Sequence, residues 1–238
     1  MSGWGATTVY AGHGGGGWRP ASRDYPLPVL WSAPLRRERL GLRGGNQVRH
    51  VQYVPVGASS DDGRDCAALR HQTIEIRPGD PGIERTVDVM KQLIQAGAGV
   101  PVVRDHAERA VVGVSPGRPL EELRALVTYI KGHVNYRRDP VTHEWIKTPW
   151  LVACQITQGR VPQLDCDDLT VFSLALAGSI GFDTIIRVVS TRRDEQFNHV
   201  YGLVELDDAT VVPLDLVRAW APKRSPWPRE TRVMEVAV

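Results

Sequence analysis

The sequence predicts an α+β fold, and three observations carry the prediction. Apolar residues recur at helical spacing beyond Gly82, and β-branched runs separated by polar turns follow residue 184. Between them an Asp-Cys-Asp-Asp segment sits at the start of a further helix. Helices followed by consecutive strands imply helices packed on an antiparallel sheet.

Taken in order, the first 70 residues differ from the rest. Gly14 to Gly17 is a glycine run, prolines recur at Pro20, Pro26, Pro28 and Pro34, and residues 57–63 are small and polar. That is linker composition, yet Trp4, Tyr10, Trp18, Tyr25, Trp31 and Tyr53 are interspersed in it. The expectation is an extended arm over 1–70 that docks on a partner or another copy of the chain, ahead of a domain over 71–238. Arg36, Arg37, Arg39 and Arg43 are interrupted by Glu38 and read as a solvated loop rather than a phosphate patch.

In the first helix Ile83, Val87, Met90 and Ile94 share a face, and Gly97 supplies the stop. Val103, Ala107, Ala110 and Val111 form a shorter second helix closed by Gly113 and Pro116. A third starts near Pro119, a favoured first-turn residue. It carries Leu123, Leu126, Val127, Ile130 and Val134 until Asp139-Pro140 ends it. A fourth opens at Asp165, with Leu169, Phe172, Ser173, Leu176 and Ile180 on one stripe and Gly181 past its end. Strands are predicted over 184–189, 199–206 and 210–214.

Composition excludes several classes. The chain has 238 residues, with 29 Lys+Arg against 27 Asp+Glu, so no global basic field recruits nucleic acid. Residues 1–17 show no basic segment followed by an apolar one, and no apolar stretch of roughly 18 residues occurs, so a cytoplasmic protein without membrane contact is expected. Cys66, Cys154 and Cys166 are odd in number without CxxC spacing, which argues against a disulfide framework or a zinc site and for free thiols. Cys154 is either a buried bystander or a resolving thiol for Cys166.

Cys166 stands where a nucleophilic sulfur is favoured. At a helix N-terminus, free backbone N–H groups and the helix dipole stabilise both a thiolate and a developing oxyanion. Asp165 as N-cap and Asp168 three residues on predict a capping-box-like pair. Three carboxylates around one thiol oppose its ionisation, so activation must come from an imidazole. His199 lies in a strong strand pattern, sharing a face with Tyr201 and Leu203. If the next strand pairs through an odd-numbered turn at 207–209, Asp215 projects from that face beside it. The order nucleophile, base, orienter is then Cys166, His199, Asp215. His106, His133 and His143 have no partner at metal spacing and read as satisfied histidines. A metal site built from Asp165, Asp167, Asp168 and His199 is a lesser reading, because no EF-hand pattern appears and the acids belong to a helix start. No metal and no cofactor is expected.

Several pieces carry a resemblance. In order they are the amphipathic helix from Ile83, Val134-Asn135-Tyr136, Asp139-Pro140, Thr148-Pro149, Asp165-Cys166-Asp167-Asp168, Ile180-Gly181-Phe182, Asn198-His199-Val200-Tyr201 and Pro213-Leu214-Asp215. Over residues 82–216 the chain resembles the transglutaminase-like proteins of tailed bacteriophages and prophages, within the papain-related cysteine peptidases. Leu164 stands where that family usually has glycine, and Thr170 where a small alanine is common. The resemblance implies a papain-like core with Cys166, His199 and Asp215 as nucleophile, base and orienter. It also implies an upstream aromatic as oxyanion donor, for which Tyr136, Trp145 and Trp150 are candidates; Gln155 has suitable chemistry as well.

The function implied is acyl transfer or hydrolysis on peptide or glutamine amides through a thioester, with a protein or peptide as substrate. Protease, deamidase and cross-linking enzyme share every step but the last. The alternative is a virion or tail-assembly protein that keeps the fold for binding, meeting other virion proteins through its aromatic arm. Under the resemblance the protein belongs in a bacterial host's cytoplasm or in a phage particle.

Overall fold

The computed structural model describes residues 49–53, 72–76, 79–139, 144–193, 196–206, 208–218, 222, 227 and 230–238. All of them fall in the unit 37–238, and residues 1–36 lie outside the described residues. The element order is β1 (Arg49–Tyr53), β2 (Gln72–Ile76), α1 (Asp80–Ala98), α2 (Pro101–Val111), α3 (Pro119–His133), β3 (Asn135–Tyr136), β4 (Glu144–Trp145), α4 (Pro149–Thr157), β5 (Gln163–Leu164), α5 (Cys166–Ser179), β6 (Asp183–Ser190), β7 (His199–Glu205), β8 (Val211–Leu214) and β9 (Arg232–Ala237). The main sheet runs β8-β7-β6-β9 and is antiparallel throughout. No helix among the described residues is long and apolar enough to cross a membrane.

The helices explain themselves locally, with three corrections. α1 buries Val87, Met90, Leu93 and Ile94, but it continues through Gly97 and stops at the Gly99 cap. Gly97 serves close approach instead: a Cβ there would lie 2.5 Å from Pro149 Cγ, so glycine lets α1 meet the start of α4. α3 ends at His133, short of Asp139-Pro140, because Val134 is already extended and the chain passes directly into β3. Asn135 N–H then donates to Pro162 O at 2.9 Å and Arg137 N–H to Leu164 O at 2.8 Å. α4 was not foreseen as a helix, although its signal was present: Thr148 is the N-cap and Pro149 the first helical residue.

α5 is the centre of the fold. The sequence predicted one apolar stripe, but every residue from Asp167 to Ala177 is buried. A helix that is apolar all round is covered all round; the other four helices and strands β6 and β7 all pack on it.

In the main sheet the expected strands appear as β6, β7 and β8, and β9 adds an edge to β6 with the register Val188↔Met234. The face of β7 bearing Val200, Gly202 and Val204 meets α5; the opposite face joins Tyr201 and Leu203 to Val189 in a separate small cluster. A Cβ on Gly202 would lie 2.5 Å from Leu174 Cδ2, and Leu174 is fully buried. Gly202→Ala is therefore expected to destabilise the domain by about 1–3 kcal/mol through overpacking, read as a lower urea midpoint with unchanged slope.

The domain boundary expected at residue 70 does not mark where ordered pairing begins. β1 lies inside 1–70 and pairs antiparallel with β2 (Arg49↔Ile76) and parallel with β4 (Val51↔Glu144). This part of the expected arm belongs to the domain's own sheet. The rest of the arm, with its arginine cluster and its expected contacts to virion proteins, lies outside the described residues.

Candidate active site

Two short strands lead into the helix that Cys166 opens. β3 and β5 pair in parallel, with Tyr136 opposite Leu164, and the chain turns from Leu164 through Asp165 into α5. Asp165 is the N-cap, extended at φ −98 and ψ −158, and its Oδ1 accepts from Asp168 N–H at 3.3 Å. Cys166 is the first helical residue, a half-buried free thiol. Cys154 is disulfide-bonded, which corrects the expectation of three free thiols and withdraws Cys154 as a resolving thiol; its partner lies outside the described residues. Nothing local predicts that bond, since it joins distant parts of the chain.

The capping-box expectation holds only for Asp165. The Asp168 carboxylate does not reach back to the cap, for which an aspartate is one methylene shorter than the usual glutamate. It accepts instead from Lys147: backbone N–H to Oδ1 at 2.6 Å and Nζ to Oδ2 at 2.5 Å. Complete burial pushes the Asp168 carboxyl up to about 7, the Asp165 charge adds to this, and Lys147 opposes it. Burial is the largest influence on the Lys147 amine and acts to lower it, but the charge and hydrogen bond of Asp168 together with the Asp139 and Asp165 charges outweigh it and hold the amine above its ordinary value. The two directions favour different states of the pair. Lys147, with 26% of its side chain exposed, keeps its charge, and the fully buried Asp168 is the partner that takes up a proton.

Oxygens of Asp165, Asp167 and Asp168 lie within 4.8 Å of one another, and His199 is not among them. The four-residue metal grouping considered from sequence therefore does not assemble. Lys147 already brings a cation to this cluster.

The second half of the site is on the sheet. β7 and β8 pair with Gly202↔Leu214 and Val204↔Val212 about the 207–209 turn, a register that puts His199, Tyr201 and Asp215 on one face. His199 Nε2–H donates to Asp215 Oδ2 at 2.8 Å, with both side chains buried. This bond fixes the ring orientation and leaves Nδ1 on the other side. Asp215 accepts two more bonds, from Val217 N–H to Oδ1 at 2.9 Å and from Trp227 Nε1–H to Oδ2 at 2.8 Å. Burial alone would raise its carboxyl, but the His199, Val217 and Trp227 donors outweigh it and hold the carboxyl below its ordinary value. Trp227 also tilts against the His199 ring at 4.7 Å between centroids, and the Arg218 guanidinium lies 4.0 Å over Trp227. Sequence reasoning missed Trp227, which sits in a proline-flanked stretch with no periodicity.

The two halves meet where β7 begins. Thr170, one turn into α5, bonds both to Cys166 O and to Val200 O, the residue after His199. Of the oxyanion candidates, Tyr136 is half-buried and electrostatically coupled to Cys166; burial and that thiol push its phenol up to about 12, so it remains a donor. Trp150 is buried, and its Nε1–H has no acceptor among the described residues. Gln155 is partly exposed in the last turn of α4, and Trp145 lies at the surface with its amide bonded to Asp139 Oδ2 at 2.6 Å. His106 and His133 are satisfied within the helices, bonding respectively to Tyr129 and Thr157 and to the Tyr129 carbonyl. His143 lies outside the described residues.

No family model and no curated protein matches the chain. Among solved structures, it is similar to a candidate cysteine protease from Cytophaga hutchinsonii, with 11% identity, a TM-score of 0.34, and 57% of this chain and 50% of that chain covered. It is also similar to a candidate protease from Parabacteroides distasonis, with 8% identity, a TM-score of 0.42, and 75% of this chain and 42% of that chain covered. The chain thus spans half or less of each.

Proposed function

We propose that this protein is a cysteine-nucleophile acyltransferase or hydrolase on a transglutaminase-like, papain-related core. Its substrate would be the amide of a peptide or of a glutamine side chain. The observation that carries this reading is the buried 2.8 Å bond from His199 to Asp215, set at the end of the strand that meets the Cys166 turn of the helix. In the proposed reaction His199 takes the Cys166 proton at Nδ1, and the thiolate sulfur adds to the amide carbonyl. The helix N-terminus and the phenol of Tyr136 or the indole of Trp150 receive the negative oxygen. Collapse breaks the C–N bond, His199 returns the proton to the leaving amine, and a thioester remains. Water then releases an acid, or an amine releases a new amide, and the thiol is regenerated.

Alkylation by iodoacetamide under non-reducing conditions tests the reading, because Cys154 is held in its disulfide. An imidazole-paired Cys166 should react at mildly acidic pH, well below the ordinary thiol pKa of about 8.5. His199→Ala should slow that reaction at pH 6 by at least about tenfold. An ordinary thiol profile, indifferent to His199→Ala, would turn the interpretation to a binding protein that keeps the fold without the chemistry.

A further inference from the structure

We propose that Thr170 is a positioning residue that uses one hydroxyl to hold the nucleophile's helical turn in register with the histidine end of β7. The inference rests on the Cys166–His199 reading above. Thr170 is buried at 2% exposure, and its single Oγ1–H is shared between two carbonyls, mainly Cys166 O at 2.7 Å and secondarily Val200 O at 3.3 Å. The first acceptor is the backbone of the nucleophile residue itself, and the second is one peptide unit from the base.

The location gives this bond a task that packing does not perform. The β7–β8 ladder stops at Gly202↔Leu214, so at Val200 strand β7 is held on one side only, by β6 through Val188↔Val200. Further along, α5 and β7 touch through the Leu174 side chain and Gly202. That contact fixes the middle of the helix against the strand, but it lies about two turns away from Cys166 and carries no directional bond at the helix start. A hydrogen bond weakens steeply as its angle opens, so the Thr170 hydroxyl resists sliding at the point where sliding would separate sulfur from imidazole. A reacting pair displaced by about 1 Å can lose about a hundredfold in rate. A threonine in a helix already has a rotamer that sends its hydroxyl to the carbonyl four residues back, so the arrangement needs no strained side chain. An alanine here keeps the helix and loses the tie.

Three variants and a double mutant decide the matter, each read by the pH profile of Cys166 alkylation with thermal unfolding as the control. Thr170→Val is isosteric and deletes only the hydroxyl. It should slow alkylation at pH 6 by about tenfold or more while the rate at pH 10, where any thiol is ionised, stays near wild type. Thr170→Ser keeps the hydroxyl and should stay close to wild type at both pH values; if the valine variant does not fold, Thr170→Ala takes its place. Thr170→Val combined with His199→Ala should be no slower than His199→Ala alone, because both act through the same pairing. If His199→Ala slows alkylation and Thr170→Val does not, or if Thr170→Ser falls as far as Thr170→Val, the positioning role is wrong and the Cys166–His199 reading survives. If His199→Ala itself changes nothing, both fall together.

Discussion

Asp168→Ala should cost the domain about 3 kcal/mol of folding free energy at neutral pH, measured by urea denaturation with the midpoint falling and the slope unchanged. The carboxylate is wholly buried and takes two donors from Lys147, a backbone N–H at 2.6 Å and the ammonium at 2.5 Å. Removing it strands the amide, an unsatisfied buried donor worth roughly 1–3 kcal/mol, and leaves a small void between α5 and the turn that starts α4. The ammonium is partly exposed and can turn to water, which holds the loss near the low end of the range for breaking a buried pair. A loss below about 1 kcal/mol would mean that the two segments do not depend on this tie.

The same residue sets a pH dependence of defined sign. Its folded carboxyl titrates near 7 against an ordinary 3.8, so between those values the folded state binds more protons than the unfolded one. Through this group, stability declines as pH rises across that window and levels off above it. Asp215 acts in the opposite sense. Its folded carboxyl is held below 3.8, so the stability it contributes is present above that value and lost as pH falls through its depressed folded value. Asp168→Asn should flatten the decline between about pH 4 and 7 and leave the acid limb in place.

Asp215→Asn should lower the pH 6 reactivity of Cys166, and any acyl-transfer turnover, by between about 10² and 10⁴. The carboxylate receives three N–H donors on two oxygens: His199 and Trp227 share Oδ2, and Val217 uses Oδ1. An asparagine has one acceptor oxygen and one NH₂ group. With its oxygen toward His199 and Trp227, the NH₂ opposes the Val217 amide. With the NH₂ toward the rings, it opposes two donors and drives the His199 proton from Nε2 to Nδ1, the nitrogen that accepts the thiol proton in the proposed reaction. The Val217 amide and the Trp227 indole are both fixed donors, so each arrangement leaves one of them opposed, and the loss of reactivity follows from the second, in which the imidazole changes tautomer. A nitrogen-resolved NMR spectrum of His199 would show the tautomer directly. Retention of the Nε2–H form with near wild-type reactivity would remove Asp215 from the role of orienter.

Much of this molecule was legible in the sequence because its signals are local. The burial periodicity of Val87, Met90 and Ile94, the proline at the start of α3 and the β-branched runs of β6, β7 and β8 each report on neighbours a few residues away. Strand parity is local as well. Once the 207–209 turn has an odd length, the alternation of a strand puts His199 and Asp215 on one face, and the 2.8 Å bond between them realises that parity. Asp165 as a cap needed only the three residues that follow it.

What the sequence by itself determined was therefore helices α1, α2, α3 and α5 and strands β6, β7 and β8, Cys166 at a helix start, and the shared face of His199 and Asp215, while α4 and the edge strand β9 escaped it. Tertiary structure alone decided which distant groups complete these positions. Lys147 lies 21 residues from the Asp168 it neutralises, and Trp227 reaches Asp215 across twelve residues of chain without a repeating pattern. Tyr136 comes beside Cys166 only because two-residue strands pair in parallel, and Cys154 leaves the pool of free thiols through a bond to a remote part of the chain. Local propensity encodes which face of an element is buried. The partner that meets a buried charge or donor depends on the path of the whole chain, and no spacing along the sequence expresses it.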